Sequence, residues 1–233
     1  MSQFAFKQFS VTQRHAAMKV STDGILLGAW APVSNARSIV DVGAGTGLVA
    51  LMCKQRNPNS SIYAVELDQA ALVDAQYNIT HSPWPDIKLC DTAIQAFECE
   101  TQFDLMVSNP PYFNTSLKSQ DPARNRARHT DSLSFDDLLS AFERLTSPQG
   151  QLAVILPYQE SLLFNQLADK RNLSLISACT ISTTPKKAPS RRLMLFSKLA
   201  HHTKDEQRLV IYDENNQYSK EYVALCQAFY LKM

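Results

Sequence analysis

The chain has 233 residues, with 23 Lys and Arg against 22 Asp and Glu, and its formal net charge of +1 neither demands nor rules out a polyanionic partner. That length can bury one large core and no Pro/Gly/Ser-rich stretch reads as a linker, so a single domain over 1–233 is expected. Residues 1–10 lack the basic-then-apolar order of a secretion signal, and no apolar run is long enough to cross a bilayer, which points to the cytoplasm.

In chain order, apolar runs of strand length alternate with segments of helical period. Strand 38–42 is followed by helix 48–55, strand 62–65 and helix 69–80, a βαβα order that predicts a parallel sheet with helices on its faces. Strands at 87–89 and 105–107 come next, then helix 135–145, strand 152–156 and a helix from about 160 to 170. Ser134 and Asp137 form a capping box for the helix carrying Leu138, Leu139, Phe142 and Leu145. Beyond it, 173–181 and 192–199 read as two strands joined through the loop from Pro185 to Pro189 with no helix between them. They predict an antiparallel pair closing one side of the sheet. A short strand at 208–212 and a helix at 219–231 complete the chain.

The cysteines, Cys53, Cys90, Cys99, Cys179 and Cys226, are scattered and mostly set in apolar runs, as reduced core residues are. His15, His81, His129, His201 and His202 show no metal-ligand spacing with one another or with cysteine, so no metal is expected. Charge is distributed less evenly than its sum suggests. Residues 1–22 hold Lys7, Arg14 and Lys19 without an acid, and residues 170–204 hold Lys170, Arg171, Lys186, Lys187, Arg191, Arg192, Lys198 and Lys204, again without one.

Two motifs carry chemistry. Asp41-Val42-Gly43-Ala44-Gly45-Thr46-Gly47 follows the first core strand and opens the first core helix, so three glycines let the backbone bend sharply and a ligand approach closely. The Gly-x-Gly-x-Gly spacing differs from the Gly-x-Gly-x-x-Gly that seats a pyrophosphate, which favours a cofactor without one. Glu66 ends the next strand, 19 residues past Gly47, where an acid can grip ribose hydroxyls. Asp91 follows at the end of the third strand, where an adenine amine could be held.

The second motif is Asn109-Pro110-Pro111-Tyr112, directly after the apolar run 105–107. The Asn109 carboxamide oxygen and the Pro110 carbonyl can accept both hydrogens of one NH2 group, and the prolines stiffen the backbone without a competing N–H. Tyr112 offers a face for a flat base. By itself the tetrapeptide also fits a Pro-Pro turn with Tyr112 packed at its rim.

The glycine turn, the ribose acid, the adenine-side acid and the Asn-Pro-Pro-Tyr, in that order, resemble the S-adenosylmethionine-dependent methyltransferases of the Rossmann-like class, over roughly 38–199. That resemblance implies a mostly parallel seven-stranded α/β sheet with an antiparallel strand near one edge and helices on both faces. It also implies S-adenosyl-L-methionine bound by Asp41, Gly43, Gly45, Gly47, Glu66, Leu67, Asp91, Thr92 and Asn109. In that class the tetrapeptide is similar to the catalytic motif of enzymes that methylate planar nitrogens of adenine, guanine or glutamine, with Asn109, Pro110 and Tyr112 in the catalytic roles.

More narrowly, the segment from Phe4 to Trp30, with Asn109 to Phe113 and Ala127-Arg128-His129-Thr130, resembles the bacterial tRNA adenine-N6 methyltransferases that modify position 37, just 3′ of the anticodon of a valine tRNA. This implies that residues 1–37 cover the cofactor, with Lys19, Thr22 and Asp23 at its methionine end, and that 200–233 is a C-terminal extension. Thr22-Asp23-Gly24 also fits the cap of a helix beginning at Ile25. Phe113, Lys118, Arg124, Arg126, Arg128 and His129 follow the tetrapeptide in a long loop, and Lys186, Lys187, Arg191 and Arg192 sit in the antiparallel pair. As a set they fit phosphate contacts to tRNA, although each singly also fits a solvated surface. A ribosomal-RNA guanine-N2 or protein glutamine-N5 methyltransferase keeps the reaction with another acceptor. A non-catalytic RNA-binding or assembly factor is the rival of another class.

Overall fold

A computed structural model of the chain describes residues 3–16, 19–111, 133–200 and 204–233. It opens with a hairpin that no apolar pattern announces, β1 (Gln3–Ala5) paired antiparallel to β2 (Ser10–Thr12). Helix α1 (Thr22–Trp30) follows, capped by Ser21, whose Oγ accepts from the Gly24 N–H. The cap therefore stands one residue ahead of Thr22, and Thr22, Asp23 and Gly24 form the first turn rather than the cap of a helix beginning at Ile25. At the other end of α1, the Arg56 guanidinium donates to the carbonyls of Gly28 and Ala31 at 2.9 and 2.6 Å, adding to the bonds at the helix terminus.

The core then runs β3 (Ser38–Val42), α2 (Leu48–Arg56), β4 (Ser61–Glu66), α3 (Gln69–Thr80), β5 (Lys88–Asp91) and β6 (Phe103–Ser108). After it come α4 (Phe135–Leu145), β7 (Thr146–Pro157), α5 (Tyr158–Lys170), β8 (Ser174–Ser182), β9 (Arg191–Ser197), β10 (Asp205–Val210) and α6 (Lys220–Cys226). The capping box of Ser134 and Asp137 is present. The α/β class is as expected, but the strand count is not. The main sheet has eight strands in the order β10-β8-β9-β7-β6-β3-β4-β5, because β10 pairs parallel with β8 and extends the sheet beyond the antiparallel pair. β9 is antiparallel to both β7 and β8, and the other pairings are parallel.

Alternation within the strands splits the core between the two faces. Ile39, Leu105, Val107, Ala153 and Ile155 join a cluster with Leu26, Leu27, Leu51 and Met52 of α1 and α2. Val40, Val42, Met106, Leu152 and Val154 join Leu138, Leu139, Phe142 and Phe164 of α4 and α5 on the other side. The cysteines are unpaired, with Cys53, Cys179 and Cys226 buried. None of the described helices is long and apolar enough to cross a membrane.

Two buried polar residues of α3 tie the N-terminal segment to this core. Asn78 accepts from the Thr12 N–H at 2.7 Å and donates to the carbonyls of Thr12 and Thr46, so one carboxamide joins β2, α3 and the glycine turn. Asp74 accepts from the N–H groups of His15 and Ala16 at 2.8 and 2.9 Å. Burial raises its carboxyl, but the amides of Ala16, His15 and Arg14 more than offset this and hold it below the ordinary value. Asn78→Ala strands three backbone groups in a buried setting. At about 1–3 kcal/mol for each unsatisfied group that water does not reach, a loss of roughly 3 kcal/mol is expected in urea unfolding. A loss under about 0.5 kcal/mol would remove Asn78 from this anchoring role.

Candidate active site

The register of three adjacent strands brings the two motifs together. Val42 of β3 stands opposite Val65 of β4 and Ser108 of β6, so Gly43, Glu66 and Asn109 emerge on one level at the carboxyl edge of the sheet. Ser108 Oγ donates to the Val42 carbonyl at 2.8 Å and fastens the base of the Asn-Pro-Pro segment to the base of the glycine turn. β5 continues the line, with Asp91 opposite Glu66. A cavity of about 620 Å³ opens along this edge, within the size range of small-molecule sites.

Of the residues singled out in the sequence, Gly43, Gly45, Glu66, Leu67, Thr92 and Asn109 line that cavity. Gly43 and Gly45 have φ of +70° and +56°, and a Cβ built on either meets no atom within 4 Å, so the turn presents bare backbone to open space. Glu66 is held from three sides. One oxygen accepts from Gly45 N–H at 2.7 Å, and the other from Leu67 and Asp68 N–H at 2.8 Å each. Its carboxylate thus stands fixed at the rim, with lone pairs left to accept from a diol. The remaining lining is largely apolar, with Val42, Val65, Ile94 and Leu133 among its walls. Bare turn, fixed acid and apolar walls suit an adenosine-bearing cofactor. Ala16, Asp68, Ala71, Gln95 and Pro111 also line the cavity and were not expected there. Pro111 belongs to the Asn-Pro-Pro-Tyr motif and Ala16 to the segment expected to cover the cofactor, whereas Asp68, Ala71 and Gln95 carry no motif and only their nearness to Glu66 and Thr92 could have suggested them.

Other residues lie apart from the lining. Asp41 is 1% exposed behind the turn, where it accepts from Ala50 N–H at 3.0 Å. Gly47, at φ +80°, caps α2, and its Cβ position faces Ile79 and Ala75 of α3, so it shapes the turn from the side away from the cavity. Asp91 is exposed and bound by the Gln69 side-chain amide at 2.9 and 3.0 Å, and it is the next residue, Thr92, that faces the cavity. Lys19 and Thr22 are exposed and outside the lining, and Asp23 is paired with Arg191 at 2.7 Å. Pro110 is buried beneath the exposed Pro111.

The basic set divides. Lys186 and Lys187 are exposed at the turn after β8, available to an outside anion. Arg192 corrects the expectation of a phosphate contact, because it is 9% exposed on β9 and paired with Glu206 of β10 at 3.0 Å. Arg191 spends its Nε on Asp23 and one terminal nitrogen on the Ser190 carbonyl, joining β9 to α1. Tyr112, Phe113, Lys118, Arg124, Arg126, Arg128 and His129 lie outside the described residues.

The Methyltransferase small domain family matches residues 19–129. The tRNA1(Val) (adenine(37)-N6)-methyltransferase of Pseudoalteromonas translucida is 53% identical over 233 residues, covering 100% of both chains. The protein of the same name from Histophilus somni is 46% identical, covering 98% of this chain and 97% of its own. Among solved structures, a predicted O-methyltransferase from Agrobacterium tumefaciens superposes with TM-score 0.68 at 15% identity, over 89% of this chain and 96% of the other. TrmN from Thermus thermophilus does so with TM-score 0.55 at 20% identity, over 82% and 55%. At those identities the structures speak for the fold.

Asp41 yields a prediction about acidity. Burial pushes its carboxyl up to about 7, opposed by the Ala50 N–H and reinforced by the charge of Glu66. The folded state therefore holds a proton that the unfolded chain releases near pH 4, and this contribution to stability is lost as pH rises from about 4 to about 7. Asp41→Asn is expected to flatten that decline. In urea unfolding at pH 5 and pH 7, the stability difference should be smaller in the variant by on the order of 1 kcal/mol per pH unit. Identical differences in the two proteins would show that Asp41 is ionised throughout.

Proposed function

The chain belongs to the tRNA1(Val) (adenine(37)-N6)-methyltransferase family, and we propose that it transfers the methyl group of S-adenosyl-L-methionine to the exocyclic N6 amine of adenine 37 in the anticodon loop of a valine tRNA. The observation that carries this reading is the register that sets Asn109 beside the glycine turn and Glu66 on one cavity. Such an enzyme works in the cytoplasm on its RNA, with residues 1–37, 38–199 and 200–233 acting as one unit.

The cofactor supplies an electrophilic methyl group when bound. Gly43, Gly45, Glu66 and the Thr92 to Gln95 stretch line the cavity, where the two glycines would give the cofactor room, Glu66 would accept from its ribose hydroxyls and residues 92–95 would border its adenine. Asn109 Oδ1 and the Pro110 carbonyl would accept the two amine hydrogens and so orient the nitrogen lone pair. As the N–CH3 bond forms and the S–CH3 bond breaks, the amine would release one proton to water, so no strong base is needed. Holding the two reactants in line is worth about 7–11 kcal/mol in favourable cases. In this reading Tyr112 would offer the adenine a face to stack on, a contact worth roughly 1–3 kcal/mol. A base in a single-stranded loop reaches that plate at a cost of a few kcal/mol or less.

Incubation of the protein with tritiated-methyl cofactor, total RNA and total protein, followed by nucleoside analysis, tests the reading. N6-methyladenosine in tRNA is the expected product. Label in guanosine or in protein would instead favour the guanine-N2 or glutamine acceptor, and no label anywhere a binding factor. Asn109→Ala is expected to lower turnover at saturating cofactor by on the order of 10²–10³, as for loss of a preorganised polar contact. Near-parental turnover in that variant would take Asn109 out of catalysis.

A further inference from the structure

Resting on the tRNA reading above, we propose that the groove between the β1–β2 hairpin and α3 is a second RNA-contact surface, which holds nucleotides flanking the one that reacts. The groove has a volume of about 410 Å³ and is lined by Lys7 and Gln8 of the hairpin turn and by Tyr77, Asn78 and His81 of α3 and its cap, among others. Ala16 lines the cofactor-side cavity and Thr12, four residues before it, lines the groove, so one short segment of the chain borders both openings.

The chemistry of the strip suits a phosphodiester chain. The Tyr77 and His81 rings stack at 4.0 Å, and Tyr77 is 42% exposed although it is a large aromatic on a helix with a buried face. The Arg14 guanidinium lies over the Tyr77 ring, 5.6 Å from its centroid. Arg14 and Lys7 are exposed, and Lys7 lines the groove with its ammonium on the Gln227 carbonyl. Two acid-free stretches meet here, residues 1–22 and residues 75–85. Asp74, the acid nearest along α3, is 1% exposed and its carboxylate accepts from the backbone of His15 and Ala16, so it does not stand at the surface of the strip. Cations flanking an exposed aromatic stack are what single-stranded RNA needs, the cations for phosphates and the rings for a base. An acidic peptide would use the cations but give the exposed stack no partner.

The test is steady-state methylation of tRNA by the parent, Arg14→Glu and Tyr77→Ala, with cofactor affinity and thermal melting measured alongside. Each variant is expected to raise KM for tRNA about tenfold, within the range for loss of one stacked base, at unchanged kcat and cofactor affinity. Arg14→Gln should also flatten the slope of log KM against log salt by about 0.7–0.9, one phosphate contact, and Arg14→Lys should restore it. Should Tyr77→Ala fold poorly, the exposed Arg14 variants decide alone. KM and salt slope equal to the parent's would overturn the surface and leave the methyl-transfer reading intact. A parent protein that labels no tRNA would overturn both.

Discussion

The alignment of β3 with its two parallel neighbours is the constraint on which the rest depends. Because Val42 is level with both Val65 and Ser108, three chain reversals begin at one height, and each brings one component of the site. The Ser108 hydroxyl on the Val42 carbonyl then locks the two strands where a one-residue slip would turn every side chain of β6 to the opposite face. Glu66 extends the same economy sideways, since the backbone amides that fix it belong to the glycine turn and to its own strand end. The arrangement is stiff before any ligand arrives, so little conformational freedom remains to be lost on binding.

Around this bar the chain places softer, more specific parts. The N-terminal segment has little core of its own and leans on buried polar groups of α3, which also borders the cavity through Asp68 and Ala71. α3 is therefore shared between the two, bordering the cavity at its start and carrying the hairpin at its end. The Asp23–Arg191 pair adds a connection from α1 to the far side of the sheet, which explains why Arg191 is not simply a surface cation.

Legibility in the sequence followed the range of the interaction. β3 and β6 were readable because strands buried on both faces write unbroken apolar runs, and the Ser134 cap because its partner is three residues away. The glycine turn, Glu66 and Asn109 were readable because each follows a strand end that the runs locate. β1 and β2 were not, since three-residue strands have no period to detect. β10 was recognisable as a strand, but nothing local says that it pairs with β8, so the sheet was expected one strand short. Arg192 was misread for the same reason. Its partner Glu206 sits on that unplaced strand, and a paired, buried cation looks identical in sequence to a solvated one. Asp41 stands in the turn motif, yet its burial behind the turn is a property of packing alone.

The hairpin also bears on the order in which the molecule can be completed. Phe6 bridges to Tyr230, the Lys7 N–H donates to the Phe229 carbonyl, and Phe4 and Phe6 pack beside the Tyr230 ring. During synthesis the hairpin is made well before residues 226–233, so this apolar edge stays uncovered until that later segment emerges. The sheet and its glycine turn can form from residues already made, whereas the wall beside them is finished only when these two segments meet.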